Sequence, residues 1–196
     1  LCNRIDRNTG GIVIAAKNAE ALRVLNEKIR ERELSKFYLC ICLGRPEPPK
    51  GRIECFLRKD SKTNTVRVYH HPVPDGRSAV TLYETLETRD RLSLVEVELL
   101  TGRTHQIRVH MKYIGHTLFN DERYGGHDIL KGTTFTKYKQ FVQNCFAICP
   151  RQALHAKRLG FVHPTTGEEM FFDSEIPSDM QQLIDRWRVY ANTKEL

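Results

Sequence analysis

The stretch LSLVEVELL, residues 92–100, constrains the fold more than any other. Val95, Val97 and Leu99 alternate with Glu96 and Glu98, so one side is apolar and the other charged. That is the period-two signature of a strand with one face buried. Such a strand needs neighbours, and the flanking runs KFYLCICLG (36–44), GRIECFLRK (51–59), TVRVYHH (65–71) and SAVTLYETLET (78–88) supply them, with turn signals between. GRPEPPKG, residues 44–51, reads as a surface turn.

Helices are expected where the period changes. Asn18 caps AEALRVLNEKIRERE, in which Ala21, Leu22, Leu25 and Ile29 recur at spacings of three and four. THQIRVHMKYIG (104–115) carries an apolar stripe of Ile107, Met111 and Ile114 and ends at Gly115. SDMQQLIDRWRVYA closes the chain, with Ser178 as its cap and Trp187 on its apolar face. GIVIAAK (11–17) reads as a short buried strand, and residues 153–173 as a hairpin around Thr-Thr-Gly. Residues 125–151 read as a loop or insertion. Strands in hairpin order with few helices predict an α+β fold, with a mixed, largely antiparallel sheet and flanking helices, in one domain spanning residues 1–196.

The formal charge is +7 and the pI about 9.2. This favours a polyanionic partner, nucleic acid before a membrane surface. No apolar run approaches the length of a membrane-spanning helix, so no membrane partner is expected. The six cysteines show no C-x-x-C pair; Cys40 and Cys42 alternate as core residues of a strand would, and a reducing cytoplasm is the natural compartment. His105 and His110, five apart, do not share a helical face, so no metal is expected. Neither a P-loop nor a dinucleotide fingerprint is present.

Two constellations can carry chemistry. In NRIDRNTGGIVIAAKN (3–18), Asp6 lies between Arg4 and Arg7, just before the flexible pair Gly10-Gly11. A carboxylate held there by neighbouring cations can serve as nucleophile or base, or simply as a salt bridge or turn cap. In TGRTHQIRVHMKYIGHTLFNDERYGG (101–126), Arg103, Arg108, Lys112 and three histidines precede any acid. Arg108 and Lys112, four apart, share a helix face suited to phosphate contacts, or to plain solvation. Tyr38 has the opposite parity to Phe37 and Leu39. Its hydroxyl can therefore face a cleft if Phe37 packs inward.

The order of these motifs resembles the RluA family of pseudouridine synthases. RIDRNTGGIVIAAKN stands for His-Arg-Leu-Asp, two residues and Thr-Ser-Gly; KFY for Lys-x-Tyr; TGRTHQIRVH for the family's long third motif; NDERYGG for Gly-Asp-x-x-Tyr-Gly; and a Leu-His-Ala segment with His-Pro follows. The resemblance implies the pseudouridine synthase fold with an active-site cleft. The implied activity is isomerisation of uridine to pseudouridine in RNA, ribosomal ahead of transfer RNA, by a monomer. The chemistry so implied needs no cofactor, which agrees with the lack of a P-loop or dinucleotide fingerprint. Catalysis falls to Asp6, with Tyr38 in the active site and Arg103 paired to the carboxylate. Arg4 would help extrude the base, and Ile107 would lie near it. His105, Arg108 and Lys112 would serve as RNA contacts or support. A non-catalytic RNA-binding relative is the alternative. Asn3, Ile5 and Gly10 depart from the usual His, Leu and Ser, and Thr117 and Asn120 from Pro and Gly. The family's stretch before the catalytic motif is missing, so a longer native protein is expected.

Overall fold

The computed structural model describes residues 1–130 and 133–194. In chain order the elements are β1 (Gly10–Gly11), α1 (Ala19–Arg30), β2 (Ser35–Leu43), β3 (Lys50–Asp60), β4 (Thr65–Tyr69), β5 (Arg77–Arg89), β6 (Leu92–Leu99), α2 (Gln106–Tyr113), α3 (Thr136–Ile148), β7 (Leu154–Val162), β8 (Glu169–Asp173) and α4 (Ser178–Lys194). They form one sheet in the order β1-β7-β2-β6-β5-β3-β4, with β8 also on β7. Only the short β1–β7 pairing is parallel among the described residues; every other ladder is antiparallel.

Both faces of the central strands are covered, which is why β2 is apolar almost throughout. Tyr38, Cys40 and Cys42 of β2 join Val95, Val97 and Leu99 of β6 on one face, against Ile107 and Met111 of α2. Leu39 and Ile41 face the other way, towards Tyr138, Val142 and Cys145 of α3 and Met180, Leu183 and Trp187 of α4. The expected alternation in β6 is therefore realised, and Cys40 and Cys42 are fully buried core residues. Trp187 is also buried, and a side chain of that size contributes on the order of 3 kcal/mol to such a core.

Three local expectations need correction. Residues 125–151 are not a loop: α3 fills half of that stretch and seals one face of the sheet, though residues 131 and 132 lie outside the described residues. GIVIAAK does not form a strand beyond Gly11, although the Ile12 N–H still reaches the Ala156 carbonyl at 3.0 Å. Ser178 is the first residue of α4 and not its cap; the Gln181 N–H bonds the Pro177 carbonyl instead.

Asn18 does cap α1, its side-chain oxygen taking the Ala21 N–H at 2.8 Å. That helix ends at Arg30, before the expected Glu33, because Arg32 adopts a left-handed conformation with φ 64°. Helix α2 begins after another left-handed residue, His105, with φ 52°. The Gln106 side chain closes the preceding turn: its Oε1 accepts from the Thr101 hydroxyl at 2.8 Å and the Arg103 N–H at 2.9 Å. Its Nε2 donates to the Val80 carbonyl at 3.0 Å. The turn is thus fastened to β5, and the residues on either side of Gln106 take fixed directions. Among the described residues no helix is long and apolar enough to cross a membrane.

Candidate active site

The loop carrying Asp6 is fastened from three sides. The Thr9 N–H closes a turn on the Asp6 carbonyl at 3.0 Å, with Asn8 at φ 67°. Gln152 Nε2 donates to the Arg7 carbonyl at 2.6 Å, and Arg151 Nη1 to the Asn8 carbonyl at 3.2 Å. Asn3 Oδ1 accepts the Ile14 N–H at 2.7 Å, which gives that departure from the family pattern a structural role. Gly11 sits at φ 113°, and a Cβ there would stand 2.2 Å from the Ala156 carbonyl oxygen, so only glycine fits this close approach to β7.

The Asp6 carboxylate remains partly exposed, and the cation beside it is Arg108, not Arg103. Arg108 Nη1 lies 3.5 Å from Asp6 Oδ2. The other edge of the same guanidinium forks onto Asp121, with Nε 2.7 Å from Oδ2 and Nη2 2.8 Å from Oδ1. Asp121 is fully buried and Arg108 nearly so, which gives this charge-assisted pair a fixed geometry. Burial would by itself lower the Arg108 pKa; the bond to Asp121, its charge and that of Asp6 outweigh it, and the net shift is upward.

Arg103 instead turns away, its Nε donating to the Ser78 carbonyl at 3.0 Å, and it has no ion pair among the described residues. The expected pairing of Arg103 with the carboxylate is therefore corrected. So is the cationic face of α2, since Arg108 points inward and cannot lie on a solvated strip with Lys112. Lys112 is exposed, its ammonium 5.8 Å from the Tyr124 ring centroid. Ile107 is in the core on the Tyr38 side, and Arg4 is exposed.

Tyr38 is buried and close enough to Asp6 to feel its charge. Burial, then Asp6, pushes the phenol up to about 12. His105 is also buried, and desolvation lowers its pKa although Asp6 opposes the shift. Its Nδ1 lies 2.7 Å from the Tyr124 hydroxyl, whose oxygen accepts the Val66 N–H at 3.0 Å. The Tyr124 hydroxyl thus ties His105 to the Val66 backbone. The Tyr124 ring lies 5.1 Å from the Arg108 guanidinium, so His105 and Tyr124 support the cation that faces Asp6.

A cleft of about 660 Å3 opens beside this assembly. Arg7, Arg108, Arg123 and Arg151 line it together with Asp121 and Glu122, so its wall is polar, with cations outnumbering acids. Among the described residues no three His, Cys, Asp or Glu side chains group to hold a metal. Asp121 and Tyr124 lie in the segment NDERYGG, but nothing local marks them as partners of a residue thirteen or sixteen positions earlier. Arg151 and Gln152 carry no sequence signal at all.

A family model described as RNA pseudouridylate synthase matches residues 1–113. The chain belongs to that family. It is 36% identical over 188 residues to a Chlorobaculum parvum protein named an uncharacterized RNA pseudouridine synthase, covering 95% of this chain and 57% of that protein. It is also 36% identical to the Zymomonas mobilis ribosomal large subunit pseudouridine synthase D, covering 93% of this chain and 54% of the relative. The chain thus spans little more than half the length of these curated relatives. The solved structure of human RNA pseudouridylate synthase domain containing 4 superposes with a TM-score of 0.77 at 23% identity. That match covers 96% of this chain and 75% of the other, and it bears out the α+β fold.

Proposed function

We propose that this member of the RNA pseudouridylate synthase family isomerises uridines in structured RNA to pseudouridine, with ribosomal RNA ahead of transfer RNA. The observation that carries the reading is the Asp6 carboxylate, partly open to solvent, beside Tyr38 and backed by a buried Arg108. The preference for ribosomal RNA rests on the name of the Zymomonas mobilis relative. Six free cysteines suit a reducing compartment such as the cytoplasm.

The reaction breaks the bond between the sugar's anomeric carbon and uracil N1, rotates the base, and forms a bond from the same carbon to C5. C5 then loses a proton and N1 gains one, so there is no net redox change and no cofactor is needed. The target nucleotide must first leave its stack, at a cost of a few kcal/mol. Arg4, exposed and two residues from Asp6, is free to enter the vacated space. Asp6 then attacks the anomeric carbon, or removes a sugar proton to give a glycal-like intermediate. Arg108 engages Oδ2, leaving Oδ1 for either step. Tyr38 enters as a neutral phenol, suited to stacking on uracil and to relaying a proton through its hydroxyl.

The test is to incubate the full-length protein and its Asp6→Asn variant with total RNA and map pseudouridine by chemical footprinting. The wild type should leave new sites and the variant none, with a rate loss of about a thousandfold or more. Equal signal from both would remove the catalytic assignment and favour a non-catalytic RNA-binding relative.

A further inference from the structure

Four cations from separate parts of the chain converge beside the Arg103 turn. Arg32 comes from the α1–β2 connection, Lys36 from β2, Arg77 from the start of β5, and Arg103 from the turn before α2. None has an ion-pair partner among the described residues. Asp75 is the one carboxylate lining the adjacent cleft of about 370 Å3, which Arg77, Gly102 and Arg103 also line. Arg103 is held in place by its Nε on the Ser78 carbonyl, and its two terminal nitrogens have no hydrogen-bond partner among the described residues. Gly102 lies so close to Lys36 that a Cβ would stand 3.3 Å from Nζ.

Burial and, after it, mutual repulsion act on the cluster in the same direction. Burial, then Arg103 and Arg32, lowers the Lys36 pKa. Burial, then Arg32 and Arg77, lowers that of Arg103. Four cations gathered beside a single carboxylate, none of them ion-paired among the described residues, make a site for an anion.

We propose that Arg32, Lys36, Arg77 and Arg103 form a phosphodiester-binding site that seats the RNA strand next to the nucleotide held at Asp6. The assignment rests on the pseudouridine synthase reading and adds to it a docking track outside the Asp6–Arg108 pair. Its position supports a strand over a free anion. Lys36 and Tyr38 lie two residues apart on β2 and share a face, which separates them by about 7 Å. Tyr38 in turn lies within electrostatic reach of Asp6. The cluster therefore begins one side chain along from the target nucleotide, within reach of the backbone that adjoins it. Arg103, the expected partner of the carboxylate, takes a binding role here.

The experiment compares the full chain with Lys36→Glu/Arg77→Glu and, as a control on the opposite face of the sheet, Lys139→Glu. Binding of a labelled single-stranded oligouridylate is followed by fluorescence anisotropy over a salt series. Thermal melts check that each variant is folded. The double variant should bind about tenfold or more weakly, and its plot of log affinity against log salt should flatten by about 0.7 per lost contact. The control should match the wild type. With total RNA the double variant should need more substrate for half-maximal pseudouridine formation, its KM rising more than its kcat falls. Wild-type affinity and slope in the double variant, or an equal loss in the control, would overturn the site. Displacement of the RNA from the wild type by inorganic phosphate at low millimolar concentration would reassign it to a free anion. If the wild type forms no Asp6-dependent pseudouridine while the slope still falls, the catalytic reading fails and this site stands.

Discussion

Arg108 grips Asp121 through two parallel hydrogen bonds of 2.7 and 2.8 Å, and this fork leaves only its third nitrogen to face Asp6. The buried acid thus sets the orientation of the cation that lies beside the exposed one. Asp121 itself is held by the turn behind it, where the Gly126 N–H donates to the Asp121 carbonyl at 2.6 Å.

Removing both partners should therefore cost less than the two separate losses added together. Arg108→Ala leaves the Asp121 carboxylate buried without its cation and should destabilise the protein by about 3–5 kcal/mol. Arg108→Ala/Asp121→Ala should cost clearly less than the sum of the single variants in urea unfolding. Strict additivity would show that the two side chains are energetically independent. Arg108→Lys keeps the charge but cannot fork and reach Asp6 together, so activity should fall further than stability.

Gly11→Ala probes the scaffold of the Asp6 loop. The added methyl would meet β7 backbone at 2.2 Å, at a φ that L side chains rarely adopt. A loss of more than about 1 kcal/mol is expected, with activity falling as the loop shifts. Unchanged melting and unchanged turnover would show that β1 can move away from β7 without consequence.

Acid should weaken the fold partly through His110. It is fully buried, its ring nitrogens 3.0 Å from Cys55 Sγ and 2.8 Å from Thr81 Oγ1, and burial pushes its pKa down to about 4 from 6.5. Since the folded value is the lower one, the unfolded chain takes up this proton first. The stabilisation is complete above about pH 6.5 and is lost as pH falls through 4. Its full size is about 3 kcal/mol. Chemical denaturation of wild type and His110→Gln across this range should show a shallower pH slope in the variant. Parallel slopes would remove His110 from the account.

Tyr38 should stay protonated through the alkaline range accessible to the assay. With burial and Asp6 pushing it up to about 12, it should cause no fall in kcat/KM below about pH 11. Tyr38→Phe keeps the ring for stacking and loses only the hydroxyl. KM should stay within a few-fold while kcat drops about a hundredfold, the scale of a proton-transfer role. An alkaline limb near pH 10 that vanishes in Tyr38→Phe would contradict this.

The sequence by itself determined the strand alternation of β6, the Asn18 cap, the burial of Cys40 and Cys42, and the motif order that led to Asp6 and Tyr38. These follow from local periodicity, from capping chemistry or from residues adjacent in the chain. Helix α3 was illegible because Thr, Tyr, Cys and Phe give a weak helical pattern; its burial comes from α4 and the far face of β2. The partner of Asp6 was decided only by tertiary structure. Arg103 and Arg108 belong to one motif, five residues apart, and nothing in their spacing says which one turns inward. The left-handed His105 starts α2 at Gln106, which leaves Arg103 on the turn against Ser78 and carries Arg108 into the fold beside Asp121. A buried carboxylate from a distant turn then fixes which edge of the guanidinium faces the loop, and neither that burial nor that approach exists until the chain is folded.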